Sequence, residues 1–485
     1  VNSAYINIMD LGGNLMKGYR RDHDSLGEVK IPIDAYYGAN AFRARQNFSI
    51  TGRTCDDKFI DAILEVKQAC AIENEKIRLL TSSQKDAIIA ASNLLLGGSH
   101  RENFIVDPIQ GGAGTSFNMN ANEVIANMAN QSLDGDLGSY EKVHPNDHVN
   151  KGQSTNDIIP TSGKIALIRY FKELYDENTK LIKAMEDKAE EFKEVYKMGR
   201  TQLQDAIPMS LGQEFTAYAK VLKRDGQRFK RAIHGLSYVN LGGTAIGTGL
   251  NADRTYVKEV VSVLAKLTGL DLKQSDDLVD GTQNLDGFTY ASSVLKTYAS
   301  NLSKIANDLR LMSSGPQNGI GDVNLPAKQA GSSIMPGKVN PVIPEVVNQV
   351  SFGVIGNDVS VTMAVEAGQL ELNAFEPLIF DRLFDSLKTL KAAIYTLRVN
   401  CIEGIRANEK ELNDKVENSI GLVTALAPHI GYEKSSQIAH KALETGQSIR
   451  ELVLDEGLLD PSDLDQILDF RKMIEPGIID EDRLL

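Results

Sequence analysis

"TSGKIALIRYFKELYDENTKLIKAMEDKAEEFKEV", residues 161–195, is the stretch whose reading decides the fold class. Apolar residues recur at three- and four-residue spacing along its whole length, with no proline and one early glycine. That period marks an amphipathic helix well beyond the usual globular length. The same period returns at residues 210–239, 287–312, 344–371 and 377–401. Ser210 opens the first of these, and Gln213 three positions on completes a capping box. Five helices of ~25 residues or more have to bury apolar stripes over their full length, which predicts an all-α fold around a central bundle. At 1.5 Å per residue such helices reach ~40 Å and protrude from a monomer of this size. The pattern therefore predicts association through the long helices.

The ends of the chain read differently. Up to about residue 154, short helices alternate with loops and a few short strands near "EVKIPIDAYYG", residues 28–38. From about residue 407 the pattern is a small domain of shorter helices. Three domains are expected, at 1–154, 155–410 and 411–485, and a chain of 485 residues is long enough to fill them. The first twenty residues lack the basic and apolar regions of a secretory signal and stay outside the fold argument.

Net charge is −13, from 65 acidic and 52 basic residues, which argues against nucleic acid or an anionic membrane as partner. No apolar run approaches the ~20 residues of a membrane span. Cys55, Cys70 and Cys401 are odd in number and scattered, so no disulfide framework is expected and a cytoplasmic location follows. An anionic substrate would then need a locally positive site within an acidic protein.

Four polar loops rich in Gly, Asn, Ser and Thr could build one. They are "GGAGTSFNMNANEV" at 111–124, "HPNDHVNKGQSTNDIIPT" at 144–161, "GRTQLQDAIP" at 199–208 and "AGSSIMPGKVNP" at 330–341. Each abuts a long helical pattern. Helix starts offer free N–H groups and a positive dipole end, and glycines let the backbone approach a ligand. Taken singly, hydroxyl and amide residues before a helix are most often plain N-caps. "GGTAIGTGLN" at 242–251 fails the dinucleotide pattern G-x-G-x-x-G and follows a helix rather than a strand. His144 and His148 have helical metal-ligand spacing, yet Pro145, Asn146 and Asp147 between them compose a turn.

Together the loops resemble the aspartase/fumarase superfamily. "GSSIMPGKVNP" matches its signature at every position, and "GTSFNMNANEVIAN", "VNKGQSTND" and "GRTQLQDAIP" match its other conserved regions in order. The resemblance covers nearly the whole chain. It implies three helical domains, with bundles joining in a homotetramer whose active sites each draw loops from three subunits. It implies elimination across the Cα–Cβ bond of a succinyl-type substrate to give fumarate, with no cofactor required. Activation by a divalent cation is not legible in the sequence.

Carried over by motif, Ser332 is the general base, and Lys338 and Asn340 bind one substrate carboxylate. Thr115, Ser154, Thr155 and Ser333 hydrogen-bond the carboxylate that becomes an aci-carboxylate dianion, in the manner of an oxyanion hole. Asn156, Thr201 and Gln202 surround the leaving group. Many relatives carry a His at the position of Gln202, paired with a Glu at that of Glu345, and glutamine cannot shuttle a proton. Ammonia leaves as an amine already protonated and needs acceptors, which Asn156, Thr201 and Gln202 supply. The expected reaction is thus loss of ammonia from L-aspartate, with a fumarase acting on L-malate as the alternative. His144, Asn146 and Asp147 match a second, surface anion site of fumarases or serve as a structural turn.

Overall fold

The computed structural model describes residues 18–481, so most of the N-terminal twenty residues lie outside the described part. The chain opens with an antiparallel hairpin, β1 (Tyr19–Asp24) and β2 (Gly27–Pro32). Helices α1 (Ala39–Asn47), α2 (Asp57–Lys76), α3 (Ser82–Leu96) and α4 (Thr115–Ser132) follow. Next come α5 (Thr155–Glu191), a second hairpin of β3 (Tyr196–Thr201) and β4 (Gln204–Ser210), and α6 (Leu211–Leu236). Then come α7 (Arg254–Thr268), α8 (Leu278–Gln283), α9 (Asp286–Met312), α10 (Val342–Glu366), α11 (Glu376–Asn400) and α12 (Glu409–Glu417). Shorter helices complete the chain. The all-α expectation holds, and the five long helices fall where the periodicity places them.

Local signals explain the boundaries. The N-cap Asp56 accepts the Lys58 N–H at 3.0 Å, and Thr81 with Gln84 closes a reciprocal capping box. Ser210 Oγ accepts from Gln213 N–H and Gln213 Oε1 from Ser210 N–H, each at 3.0 Å, as the sequence predicts. One boundary differs. Helix α5 begins six residues before 161 and passes through Pro160. A helical proline orphans the carbonyl four residues earlier. Here that carbonyl, Asn156, accepts from Asn240 Nδ2 at 3.0 Å, so the helix continues.

The chain divides into two compact units, and each long helix contributes residues to both. Among the described residues the first comprises 18–174, 228–296 and 353–389. Its core gathers Phe59, Phe117, Phe288, Phe380 and Phe384, with ring centroids 5.2–5.9 Å apart. Gly163 is the early glycine of α5, and any Cβ there would run into the Phe380 ring. The second unit comprises, among the described residues, 175–227, 297–352 and 390–481. There Tyr298 donates to Asn178 Oδ1 at 2.9 Å, and Asn178 Nδ2 to the Leu222 carbonyl at 3.1 Å. A separate apolar cluster of Met198, Val416, Leu426, Ile438, Leu452 and Leu464 organises its C-terminal helices.

Candidate active site

Of the residues predicted for the site, Thr115, Ser154, Thr155 and Asn156 belong to the first unit. Ser154 caps α5: its Oγ accepts the Asn156 N–H at 3.2 Å, and its own N–H donates to Asp157 Oδ1 at 2.9 Å. Asp157 is fully buried, and its Oδ2 accepts N–H donors from Gly242 at 3.1 Å and Thr244 at 3.0 Å. Burial pushes its carboxyl up to about 6, while the Ser154, Thr244 and Gly242 donors pull the other way. Asn156 Nδ2 donates to the Ala245 carbonyl at 2.7 Å. The glycine-rich 242–251 stretch thus braces the start of α5.

Thr115 is the first residue of α4, after Gly114 at φ +85, where a Cβ would crowd Ile159. Its Oγ1 donates to the Gly112 carbonyl at 2.7 Å. Buried Asn118, in the same first turn, donates from Nδ2 to Asn150 Oδ1 at 3.1 Å and to Thr155 Oγ1 at 3.4 Å. That amide ties the starts of α4 and α5 together.

Beneath it lies a residue that sequence reasoning missed. Lys67 on α2 is fully buried and donates to Asn118 Oδ1 at 2.7 Å, Gln153 Oε1 at 2.7 Å and Asn150 Oδ1 at 3.0 Å. Burial pushes its ammonium group down to about 7. Its signal was present: Ile60, Ile63, Leu64 and Ala71 share its helix stripe, and a lysine on an apolar stripe is out of place.

Thr201, Gln202, Ser332, Ser333, Lys338 and Asn340 belong to the second unit. Thr201 and Gln202 are exposed at the tip of the β3–β4 hairpin, in a segment read from sequence only as a loop. Gln202 and Leu203 have φ +54 and +63, the backbone of a tight hairpin turn that usually takes glycine or asparagine. One residue pair back from the tip, Arg200 holds buried Asp322 through its two terminal guanidinium nitrogens, at 2.7 and 3.2 Å, and Lys197 approaches to 3.1 Å. Burial alone would raise the Asp322 carboxyl; Arg200 and Lys197 outweigh it and hold it below its usual range.

Asp322 also leads into the segment carrying Ser332. The loop is exposed around Ser333 to Val339, with Ile334 82% accessible. Ser332 Oγ accepts two backbone N–H donors, from Met335 at 2.9 Å and Ile334 at 3.2 Å. Asn340 Nδ2 donates to the Gly331 carbonyl at 2.7 Å, closing the loop at its neck. A Cβ at Gly331 would collide with the Lys338 carbonyl, so only glycine fits. Ser333 and Lys338 face solvent, and Glu345 lies in the first turn of α10.

His148 lies in one wide turn, Pro145–Val149, which His144 caps. His148 Nδ1 accepts the His144 N–H at 2.8 Å, and His144 Nδ1 accepts the Asn146 and Asp147 N–H groups at 3.2 Å each. Among the described residues no group of three or more His, Cys, Asp or Glu is placed to hold a metal ion. Nor is any helix among them long and apolar enough to cross a membrane.

The lyase family model matches residues 27–356, and that of the fumarase C C-terminus matches 422–475. The chain belongs to this lyase family, the aspartase/fumarase superfamily. It is 48% identical to the aspartate ammonia-lyase of Bacillus subtilis over 478 residues, 97% of this chain and 99% of that one. With the aspartate ammonia-lyase of Pseudomonas aeruginosa it shares 51% identity over 463 residues, 95% and 98% of the two chains. Among solved structures, the cobalt-bound fumarate lyase:delta crystallin of Brucella melitensis superposes with a TM-score of 0.92 at 47% identity, covering 95% of this chain and all of that one. The class II fumarase of Schistosoma mansoni has the same TM-score and coverage at 34% identity.

Proposed function

We propose that the protein catalyses the reversible elimination of ammonia from L-aspartate to give fumarate. The observation that carries the reading is Ser332 in its fully matched loop, with two backbone N–H groups on Oγ, in a chain about half identical to aspartate ammonia-lyases. A serine is a weak base, and N–H donors on its oxygen favour the oxyanion. In the proposed step the Ser332 oxyanion takes the Cβ proton. The C–H electron pair moves onto the neighbouring carboxylate, forming the aci-carboxylate dianion, and returns as the C=C bond forms and the protonated amine leaves Cα. Thr115, Ser154, Thr155 and Ser333 are the proposed donors to that dianion. Lys338 and Asn340 hold the other carboxylate, which requires Asn340 to exchange its bond to Gly331 for one to substrate. Asn156, Thr201 and Gln202 surround the amine, and Asn156 Oδ1 is the acceptor its amide keeps once Nδ2 binds Ala245. The chemistry so written draws on no cofactor.

The same reading makes the working enzyme a cytoplasmic homotetramer whose sites take loops from different copies. Support comes from α10, which leaves Val346, Phe352, Val359 and Met363 exposed with Gly353 and Gly356 between them. Such a face is made for close helix contact with another copy.

The test is fumarate's ultraviolet absorbance after mixing the protein with L-aspartate and, separately, with L-malate. Growth with aspartate is expected. Growth with malate alone overturns the ammonia reading in favour of the fumarase alternative, and shows that a glutamine at position 202 supports loss of water.

A further inference from the structure

We infer that Lys67 is the positioning cation of the cluster formed by the starts of α4 and α5: its buried ammonium group fixes their donor hydroxyls and its charge favours the substrate carboxylate as it becomes a dianion. This rests on the proposed role of Thr115, Ser154 and Thr155.

The argument begins with what surrounds the Nζ. Its three hydrogen bonds go to three amide oxygens, on Asn118, Asn150 and Gln153. An ammonium group has three donors and no acceptor, so this shell of acceptors fits the charged form. Among the described residues, no carboxylate lies within 4.0 Å of the Lys67 ammonium group. The titratable groups acting on it are Cys70 on α2, which accepts from Tyr256 of α7 at 3.1 Å, and Asp157 on α5; Glu73, further along α2, acts on Tyr256. Burial pushes the Cys70 thiol up to about 12 and the Tyr256 hydroxyl well above its usual value, so both stay neutral. Glu73 pairs with Lys76 at 3.1 Å. Asp157 spends its oxygens on three backbone N–H groups. The charge on Lys67 is thus solvated by amides rather than cancelled.

Each of those amides leads to the donor cluster. Asn118 passes from the Lys67 contact to Thr155 Oγ1 through its own amide group, and it sits one turn after Thr115. Gln153 directly precedes Ser154, and its Nε2 closes the turn through the Val149 carbonyl at 2.9 Å. Moving Nζ would therefore move both helix starts. The placement also answers how an acidic protein presents positive potential to an anion: one buried cation behind two helix N-termini. A buried charge acts through a low dielectric and is little screened by salt. Lys67 does not touch substrate; it acts through Asn118, Gln153 and the field.

The test uses the full-length protein, with Lys67→Met, which removes the charge at similar volume, and Lys67→Gln, which keeps neutral donors. Each is checked for assembly by size exclusion and then assayed for kcat with L-aspartate and for inhibition by succinate, a dicarboxylate that cannot react. Charge on the dianion grows only in the transition state, so both variants should lose kcat by about thirtyfold, the effect of one unit charge a few bonds away at intermediate dielectric. The succinate inhibition constant should change less than about threefold. Equal losses in kcat and succinate binding would mean a collapsed site and overturn the electrostatic role. Recovery of kcat in Lys67→Gln, or wild-type kinetics in a folded Lys67→Met, would overturn it as well. Were the wild type silent with aspartate but active with malate, the ammonia reading would fall while the same split, read on malate, still decided Lys67.

Discussion

Residues 150–157 and the loop at 330–341 both set serines ahead of a long helix, and they are built in opposite ways. Around Ser154 every neighbour is tied down: Asp157 is fully buried, Asn118 bridges to Thr155, Asn240 holds the Asn156 carbonyl, and Lys67 lies beneath. Around Ser332 the contacts are internal to the loop, and Ile334, Met335 and Val339 stand in water. The first segment has the character of a preorganised binding surface, whose donors need no rearrangement when charge develops. The second has the low local stability of segments that move during turnover. On the proposed function, the donors to the dianion belong to the braced segment and the base to the exposed one.

Substitutions in the two segments should therefore separate activity from stability. Ser332→Ala is expected to lower kcat by about 1,000-fold or more, the scale of a lost general base, with the unfolding midpoint unchanged. Fumarate release and urea unfolding measured on one preparation check both halves, and a wild-type rate would remove Ser332 from its role. Asp157→Ala leaves the Ser154, Gly242 and Thr244 N–H groups without their acceptor. It should lower stability by about 3 kcal/mol, because unmatched buried donors carry the full desolvation penalty. A midpoint equal to wild type in urea would show the wall is less braced than its hydrogen bonds imply. The smallest change belongs to the second hairpin: Leu203→Gly relieves a side chain held at φ +63 and should raise stability by up to about 1 kcal/mol. A loss in thermal unfolding would mean that the exposed leucine has a contact of its own.

Much of the frame was legible. The 3.6-residue period places all five long helices, and the Ser210–Gln213 capping box forms as read. Misreadings occur where a distant residue overrides a local rule. Pro160 marks a helix boundary until Asn240 replaces its missing hydrogen bond. The β3–β4 hairpin went unseen because Gln202 and Leu203 carry none of the glycine or asparagine that advertises such a turn. The Arg200–Asp322 pair that anchors the hairpin joins residues far apart in the chain. The 242–251 stretch, already excluded as a dinucleotide loop by its pattern, proves to serve Asp157 through the Gly242 and Thr244 N–H groups.

The sequence by itself determined the helical frame and the family to which the signature loop points, because periodicity and a contiguous motif are local properties that one stretch of chain carries whole. Only the tertiary structure decided what stands behind the donors. Lys67, Asn118 and Gln153 lie far apart in sequence, and a buried cation takes its meaning from the groups that solvate it. That solvation exists only once α2, α4 and the start of α5 have packed together and excluded water from the lysine.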